Sequence, residues 1–435
     1  MKKRICLGIV LVLGITLLMG CSSGNDETTK VTSDRGETVA NDVSDEKVTV
    51  KVLQFKTELS EQMVAMAEEY MKEHPNVNLQ IESVISNDYD TVLKTRFASG
   101  QAPDIFNNQG HSNMQLWLEN LEDLSDQPWV DDMLEFTKEA ITSDGKIYGM
   151  PLYLESYGFL YNKDYFEQAG ITEVPVTLTG LAEAIEKLEA AGFKVFSING
   201  AEWYPNGVFL ANVPMAQQED STAFINQIND GTATFIDNEI YNDWMDMVDL
   251  MKSHAASDPM SVDFSTVVSD FSNGQVAMIL GTNGYQLMID EVNPDLNIGM
   301  MPMPINDDAQ FNDNIYVSAS TYWCVNKNSA SKEAAKEFLD WLVTSEIGQR
   351  YITEDFGFIP GLKSIEINEY AVGPLGMDTL MYIKAGKTAG WEWPKYPDGV
   401  TIEFGGAIQK FYAGELDKAG VLENFQASWE DLKDN

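Results

Sequence analysis

From Val48 onward the sequence switches repeatedly between two hydrophobic periodicities. Val48–Phe55 and Val77–Val84 place apolar residues at every second position, which is typical of half-buried strands. Glu58–Glu73 and Asp88–Ser99 place them three and four residues apart, which is typical of amphipathic helices. A chain that alternates strand and helix in this way buries its strands in a largely parallel sheet with helices on its faces. The pattern therefore predicts an α/β fold.

The stretch Leu152–Gly170 combines a strand-like run with a helix start. Leu152–Tyr161 is almost entirely apolar or aromatic but contains one carboxylate, Glu155. A charge within such a run must be paired, solvated in a cleft or kept for a ligand. Asp164 is expected to cap the helix that follows. We interpret the stretch as the point where the chain crosses between two lobes. Glu155 then either faces the gap between them or pairs with a backbone amide or a lysine across the crossover.

Length and composition are those of a multidomain globular protein. With 435 residues and 44% hydrophobic content, the chain can form two or three domains with sizeable cores. Its formal net charge of −40 argues against nucleic acid as a partner, since phosphate binding needs clustered Lys and Arg. The sequence contains no Walker loop and no GxGxxG, HExxH or GxSxG motif, and its three histidines are far apart. These features favour binding over catalysis, and neither a metal nor a cofactor is expected.

The N-terminus has the pattern of an export signal. Three basic residues precede the 15-residue apolar run Ile5–Met19, which is short for a membrane span. Leu18–Cys21 resembles the lipobox of bacterial lipoproteins. This resemblance predicts a signal peptide at 1–20, a lipidated Cys21 and a disordered tether over 21–46; a signal anchor is the alternative. Because Cys324 is then the only cysteine left in the folded part, no intramolecular disulfide is expected.

Several loops combine amides, acids and aromatic rings and are candidates for ligand binding. Amides donate and accept hydrogen bonds and carboxylates accept them, while Trp and Tyr offer flat apolar faces that suit stacking on a sugar. The candidates in these loops and in the alternating strand Ile315–Val325 are Asn108, Gln109, Glu202, Trp203, Asn283, Tyr285, Trp323 and Trp391. Alternatives remain open, since Trp203 can pack on its own core and the loop Trp391–Pro397 can be either a lid or surface packing.

Five segments in order resemble one family. They are Phe97–Phe106 (FASGQAPDIF), Asp144–Pro151 (DGKIYGMP), Leu160–Ile171 (LYNKDYFEQAGI), Phe271–Gly281 (FSNGQVAMILG) and Ser331–Gly348 (SKEAAKEFLDWLVTSEIG). They are similar to segments of the extracellular solute-binding proteins of ABC transporters, in the carbohydrate-binding group called family 1. The resemblance runs from about Val48 to the C-terminus.

The resemblance implies a two-lobed periplasmic-binding-protein-like fold (type II), in which hinge segments join two α/β lobes that each contain a mostly parallel sheet flanked by helices. It places the crossovers near Tyr153–Tyr157, Val317–Thr321 and Gly357–Gly361. Lobe one would comprise 47–155 and 320–358, and lobe two 156–318 and 360–435.

The resemblance also implies a function. A monomeric binding protein would capture a sugar or oligosaccharide between its lobes and deliver it to the permease subunits of an ABC transporter. The lipid on Cys21 would hold it at the extracytoplasmic face of the membrane. Relatives that bind maltodextrin-like sugars use an acid seven residues before the Asn of a Tyr-Asn-Lys motif, which here is Glu155 before Asn162. Tyr157, in the first crossover, joins the ligand-binding candidates.

The sugar class stays open, because Asn108 stands where some relatives have a stacking Trp. A non-sugar solute such as a peptide, or a cell-surface enzyme acting on polysaccharides, remains an alternative.

Overall fold

Two long strands, Met150–Asn162 and Ile315–Val325, pair antiparallel in the middle of the main sheet. The structure, a computed structural model, describes residues 47–434. The described residues lie in one compact unit. Both central strands are buried along most of their length, so both faces of the sheet are covered by other elements.

The strands and helices follow each other as the sequence pattern indicates. The strands are β1 Val48–Gln54, β2 Val77–Ser83, β3 Ile105–Asn108, β4 Thr142–Ser143, β5 Lys146–Ile147, β6 Met150–Asn162, β7 Phe196–Ser197, β8 Met278–Thr282, β9 Ile298–Met301, β10 Ile315–Val325 and β11 Thr388–Ala389. The helices are α1 Ser60–Glu73, α2 Ser86–Ala98, α3 His111–Trp117, α4 Glu135–Lys138, α5 Lys163–Gln168, α6 Leu178–Ala190, α7 Ala211–Ala216, α8 Ser221–Asp230, α9 Glu239–Ser253, α10 Phe264–Ser272, α11 Gln286–Val292, α12 Ala309–Asn312, α13 Lys332–Thr344, α14 Glu346–Arg350, α15 Gly373–Ala385, α16 Val400–Tyr412 and α17 Lys418–Leu432.

The main sheet is mixed, where we expected mostly parallel pairing. Its order is β2-β1-β3-β10-β6-β8-β7, with β9 also paired to β6 and β11 to β10. β1 lies parallel to β2 and β3, and β7 parallel to β8. β10 is antiparallel to both β3 and β6, and β6 is antiparallel to β8 and β9. The α/β class is confirmed, but local periodicity does not report the direction in which distant strands pair.

The three segments expected to cross between lobes lie side by side. In the β6–β10 pair, Glu155 faces Ser318 and Leu154 faces Ala319, and the register shifts between Ala319 and Thr321. Leu154 also forms an isolated bridge with Ile359, and its N–H donates to the carbonyl oxygen of Ile359 at 2.7 Å. The three segments therefore lie next to one another at the part of the sheet that contains Glu155.

The hydrophobic core consists of two clusters. The first includes Val52, Phe106, Trp323 and Phe338, and it extends to Ile279 and Ile298. The second includes Phe159, Trp244, Phe404 and Phe425. Since the first cluster takes residues from 156–318 as well as from 47–155, the division of the chain into lobes at the boundaries given above stays a prediction.

Helix caps agree with the sequence in one case and differ in another. The sequence offers Thr177 or Thr179 as the cap of α6; the cap is Thr177, whose Oγ1 accepts a hydrogen bond from Gly180 N at 3.0 Å. The cap of α5 is Asn162, whose Oδ1 accepts from Tyr165 N at 3.0 Å, so the expectation of Asp164 as cap is wrong. Asp164 lies within the first turn and its carboxylate accepts from the Asn297 side chain instead.

The expected signal peptide, the lipidation of Cys21 and the tether over 21–46 lie outside the described residues. Within the described part of the chain, no helix combines the length and the apolar composition needed to cross a membrane. Cys324 is a free, buried cysteine, and burial raises the pKa of its thiol.

Candidate functional site

A recess lies where the end of β1 meets the middle of β6 and the end of β8. It contains about 510 Å³ of space, including its opening to solvent. Parallel strands β1 and β3 direct their carboxyl ends toward this region, which is where ligands bind in open α/β sheets. Its polar side chains are those of Lys56, Glu58, Glu155, Asn283 and Gln286.

A carboxylate and an ammonium group face each other in this recess. Lys56 Nζ lies 3.9 Å from Glu155 Oε2 and 3.6 Å from Glu58 Oε1. The side chains of Lys56 and Glu155 are only 15% and 11% exposed. Burial acts to lower the pKa of Lys56, but Glu155, Tyr153 and Glu58 outweigh it and raise that pKa well above its usual value. Lys56 has the Tyr153 side chain as a hydrogen-bond partner and lies beyond hydrogen-bond distance of both carboxylates, so the Glu155 carboxylate and the remaining N–H donors of Lys56 can bond to a ligand.

Asn283 and Gly284, which follow β8, lie next to the Glu155 carboxylate. Asn283 Oδ1 accepts a hydrogen bond from Ser156 N at 2.9 Å, which holds the segment after β8 against β6. A Cβ atom on Gly284 would lie 3.3 Å from Glu155 Oε1, which is a tight contact. Glycine at this position therefore lets the carboxylate approach the backbone closely.

Two stacked rings form an apolar wall of the recess. The rings of Tyr153 and Phe358 are 4.1 Å apart between centroids and nearly parallel. Lys56 Nζ lies 4.9 Å from the centroid of the Tyr153 ring, within range of a cation–π interaction. Leu59, Leu287 and Val372 extend the apolar lining. The recess thus offers apolar surface beside groups that form charge-assisted hydrogen bonds.

Tyr204 and Tyr285 lie near Glu155 but outside the lining of the recess. Tyr204 is 40% exposed, yet partial enclosure by protein and the Glu155 carboxylate raise its pKa to about 12. Burial, Tyr204, Glu155 and Glu202 also raise the pKa of Tyr285. Both phenols therefore stay protonated at neutral pH and can donate hydrogen bonds.

The position of Tyr204 depends on a close helix contact. Tyr204 precedes the π-helix Pro205–Leu210, which packs on α16. A Cβ atom on Gly207 would lie 1.9 Å from the carbonyl oxygen of Thr401, so only glycine permits this approach. The contact fixes the segment that carries Tyr204.

The structure brings four of the predicted ligand-binding residues to this region. Glu155 and Asn283 line the recess. Tyr285 lies close enough to interact electrostatically with both Glu155 and Glu202. Glu202 is already engaged, since its Oε2 accepts hydrogen bonds from Asn199 Nδ2 at 2.7 Å and Phe264 N at 3.2 Å.

Three predicted aromatic residues lie in the core. Tyr157 is fully buried, stacks on Tyr316 at 4.8 Å and accepts a hydrogen bond from Asn212 Nδ2. Trp323 is also fully buried and packs against Phe338. Trp391 is 7% exposed and stacks on Trp393 at 4.4 Å. In this conformation none of these three rings presents a face to the recess.

The other three predicted residues have local roles or surface positions. Asn108 is 1% exposed, and its Oδ1 accepts from Gly110 N at 2.7 Å, so it holds the turn after β3. Gln109 is exposed, and its backbone N–H donates to Asn113 Oδ1. Trp203 is half-buried, contacts Tyr204 edge to face and packs on the second core.

Lys56 and Tyr204 were not among the predicted residues. Lys56 directly follows the strand-like run Val48–Phe55, and a polar residue at the end of a predicted parallel strand is the signal that could have identified it. Tyr204 stands next to two predicted residues, and sequence alone does not tell which ring of a Trp-Tyr pair is exposed.

The chemistry available in the recess is recognition by hydrogen bonds and ring contacts. Within residues 47–434, no group of three or more His, Cys, Asp and Glu side chains is arranged to hold a metal ion. Two carboxylates, one ammonium group and two amides line a space whose other walls are mostly apolar. Such a set can bind an uncharged molecule that has hydroxyl groups and apolar faces.

Comparison with known proteins gives consistent matches. The family model for bacterial extracellular solute-binding proteins matches residues 56–349. The multiple sugar-binding protein of Streptococcus mutans is 25% identical over 207 residues, which are 46% of this chain and 45% of that protein. The maltotriose-binding protein of Pyrococcus abyssi is 24% identical over 319 residues, or 69% and 63% of the two chains. The melibiose/raffinose/stachyose-binding protein of Bacillus subtilis is 22% identical over 300 residues, or 64% and 65%. The match thus spans less than two thirds of each relative's own length.

Solved structures share the fold. A solute-binding protein, RafE, in complex with raffinose has a TM-score of 0.76 at 20% identity, covering 89% of this chain and 100% of that one. A sugar transporter protein from Bacillus licheniformis in complex with stachyose has a TM-score of 0.72 at 20% identity, covering 88% and 100%. Since these neighbours are two-lobed solute-binding proteins, the fold class expected from the sequence is confirmed.

Proposed function

Because the chain belongs to the family of bacterial extracellular solute-binding proteins, we propose that it captures a neutral sugar or oligosaccharide and delivers it to the permease of an ABC importer. The solute binds in the recess around Glu155. The solute is released without chemical change, because the members of this family are binding proteins.

The observation that carries the proposal is the largely buried pair of Lys56 and Glu155 beside the stacked rings of Tyr153 and Phe358. Sugar hydroxyls are both donors and acceptors, so a carboxylate and an ammonium group 3.9 Å apart can each bond to a different hydroxyl. The C–H faces of a sugar ring match the apolar wall. The recess carries two nearby acids, Glu58 and Glu155, against one lysine, which disfavours anionic solutes.

The relatives support the same solute class, since their names state that they bind multiple sugars, maltotriose, or melibiose, raffinose and stachyose. Two of the structural neighbours hold raffinose and stachyose. These ligands are neutral oligosaccharides, which agrees with the charge balance of the recess.

Delivery requires a conformational signal and a location near the permease. The adjacent segments at Leu154, Ala319 and Ile359 form the hinge, and closure around the solute gives the form that the permease recognises. The protein acts as a monomer at the extracytoplasmic face of the membrane, where the lipid on Cys21 retains it.

A thermal-shift screen tests the proposal. The mature protein is heated with raffinose, stachyose, maltotriose, cellotriose or xylotriose, and with digalacturonic acid and a tripeptide as anionic and non-sugar probes. At 100 times its Kd a ligand adds about 2.7 kcal/mol of stability, so at least one neutral sugar is expected to raise the Tm by about 5 °C. The sugar is expected to be recovered intact. Turnover of the sugar, or a shift only with the acid or the peptide, contradicts the proposal.

A further inference from the structure

Helix α3 contacts the single helical turn Trp393–Lys395, although the two segments belong to different parts of the core. Met114 and Trp117 of α3 pack in the first hydrophobic cluster. Trp393 packs in the second cluster. The contact therefore bridges the two clusters, and a movement of one cluster away from the other would break it.

This contact lies on the side of the sheet that bears the recess. Residues two positions apart in a strand point to the same face, so Glu155 and Tyr157 share one face of β6. The rings of Tyr157 and Trp393 are 6.1 Å apart between centroids. α3 begins shortly after β3, whose carboxyl end is directed toward the recess. The contact therefore closes the side of β6 on which we place the sugar.

His111, the first residue of α3, has an unusual backbone conformation. Its φ of 47° lies in the left-handed region, which residues other than glycine seldom adopt. The preceding Gly110 has a φ of 79°, and a Cβ atom on it would lie 2.7 Å from the Cβ atom of Ala140. This close packing of Gly110 fixes the position of the half-buried His111 at the start of α3.

Charged groups on both sides of the contact act on His111. Glu139 lies on the same side as α3, whereas Glu392 and Lys395 lie on the opposite side. Lys395 Nζ donates to Glu392 Oε2 at 2.7 Å, and Ser221 Oγ donates to the same oxygen at 2.7 Å. These bonds hold the Lys395 ammonium group in place. Burial and Lys395 outweigh the two carboxylates and lower the pKa of His111.

We propose that the contact between α3 and Trp393–Lys395 is a latch of the closed form, and that protonation of His111 releases it and weakens sugar binding. In the closed form, a proton on His111 adds a second positive charge near Lys395 in a poorly hydrated space. Separation of the two segments hydrates His111 and moves it away from Lys395, so the open form accepts the proton more readily. The inference rests on the proposed function and adds its regulation by pH.

The direction of the pH dependence follows from these two environments. The closed form holds the pKa of His111 below its ordinary value of 6.5, and hydration in the open form returns it toward that value. Because the open form binds the proton more tightly, acid favours it. Sugar affinity is therefore highest above about pH 7 and falls below about pH 6.5. At about pH 5.5, one unit below the ordinary pKa, the loss is limited to about 10-fold.

Two variants test the latch. His111→Asn removes the titrating group and keeps a residue that tolerates positive φ. Lys395→Gln removes the opposing charge and keeps a hydrogen-bond donor for Glu392. His254→Asn is the matched control, because it removes a histidine whose partner, Glu189, lies on α6. Calorimetry measures the affinity for raffinose, stachyose and maltotriose at about pH 5.5 and about pH 7.5. Small-angle X-ray scattering measures the radius of gyration without sugar at the same two pH values.

The wild type and His254→Asn are expected to bind the best sugar about 3- to 10-fold more weakly at the lower pH. Without sugar, both are expected to have a larger radius of gyration at that pH. In His111→Asn the affinity should change by less than about 2-fold and the radius should stay constant. Lys395→Gln should lie between the wild type and His111→Asn, because burial still acts on His111. Tight binding by His111→Asn at the higher pH shows that this variant is folded.

Three outcomes overturn the inference. If the wild type binds equally well at both pH values, or His111→Asn loses as much affinity in acid as the wild type, the latch is wrong and the proposed function stands. If acid weakens binding but leaves the radius of gyration without sugar unchanged, His111 acts on the sugar and not on closure. If no sugar of the panel binds at either pH, the proposed function fails and this inference fails with it.

Discussion

Lys56 Nζ lies 3.9 Å from Glu155 Oε2, and this pair joins the end of β1 to the middle of β6. The two residues are 99 positions apart in the sequence. Their side chains are largely buried, yet they stand further apart than a hydrogen bond allows. Lys56 has the Tyr153 side chain as a hydrogen-bond partner, whereas the Glu155 carboxylate is not in hydrogen-bond contact with Lys56. The geometry therefore fits a site in which a ligand completes the hydrogen bonds of the carboxylate.

Lys56→Met tests the electrostatics of this pair. At pH 8 we expect a loss of about 2 kcal/mol in the free energy of unfolding, less than for a fully buried pair in direct contact. The folded state raises the pKa of Lys56 above its ordinary value of 10.5, so it binds the proton more tightly than the unfolded state does. The stabilisation is therefore complete below pH 10.5 and declines as the pH rises through the folded-state pKa.

Urea unfolding of both proteins from pH 7 to 11 measures this dependence. The difference between wild type and Lys56→Met is expected to stay constant to about pH 10 and to shrink above it. Lys72→Met is the control, because Lys72 pairs with Glu69 on the exposed surface of α1 and its loss should change stability little at any pH. If the difference in stability between wild type and Lys56→Met grew with pH, the stabilising role of charged Lys56 would be contradicted.

Tyr285 is expected to contribute to binding mainly through its ring. Tyr285→Phe keeps the contact with Phe264 and should weaken binding of the best sugar by about 3-fold or less, whereas Tyr285→Ala should weaken it by about 10-fold or more. Calorimetric titration of both variants measures the difference. Equal losses in the two variants would show that the hydroxyl, rather than the ring, carries the contribution.

Trp391 is expected to act through stability rather than through ligand contact. It is 7% exposed and stacks on Trp393 within the second core, so Trp391→Ala should cost about 3–5 kcal/mol in the free energy of unfolding. Trp391→Phe should cost less. Sugar affinity, measured at a temperature where each variant is folded, should change little. A stable variant with lost affinity would return Trp391 to the ligand-binding residues.

The elements with strong local periodicity could be predicted from the sequence. Ile315–Val325 forms a strand with the expected bounds. The pair Asp144-Gly145, which is typical of a hairpin turn, joins β4 to β5 with both residues at positive φ. The helical periodicity from Ser331 to Tyr351 predicts one long helix, but the helix is interrupted at Ser345, which has an extended backbone and whose Oγ caps α14 by accepting from Gly348 N. The antiparallel pairing of β10 with β3 and β6 was not predictable, because it depends on contacts between segments more than 150 residues apart.

The predicted and the observed site differ mainly because the sequence does not show which side chains are buried. Glu155 stood out because a charge in an apolar run needs an explanation, and Asn283 and Tyr285 follow a buried strand. The aromatic residues Trp323 and Trp391 gave no such signal, since a ring suits a core as well as a ligand. β10 is covered on both faces, so alternation along it does not distinguish an exposed side.

The most direct test of the binding site is a calorimetric titration of Glu155→Gln with the neutral sugar that binds the wild type best. Loss of the charged acceptor is expected to reduce affinity by about 10- to 100-fold, since a hydrogen bond to a charged group contributes about 1.5–3 kcal/mol. Glu167→Gln, on the exposed surface of α5, serves as the control and should bind as the wild type does. Unchanged affinity in a folded Glu155→Gln protein would contradict the placement of the sugar in the Glu155 recess.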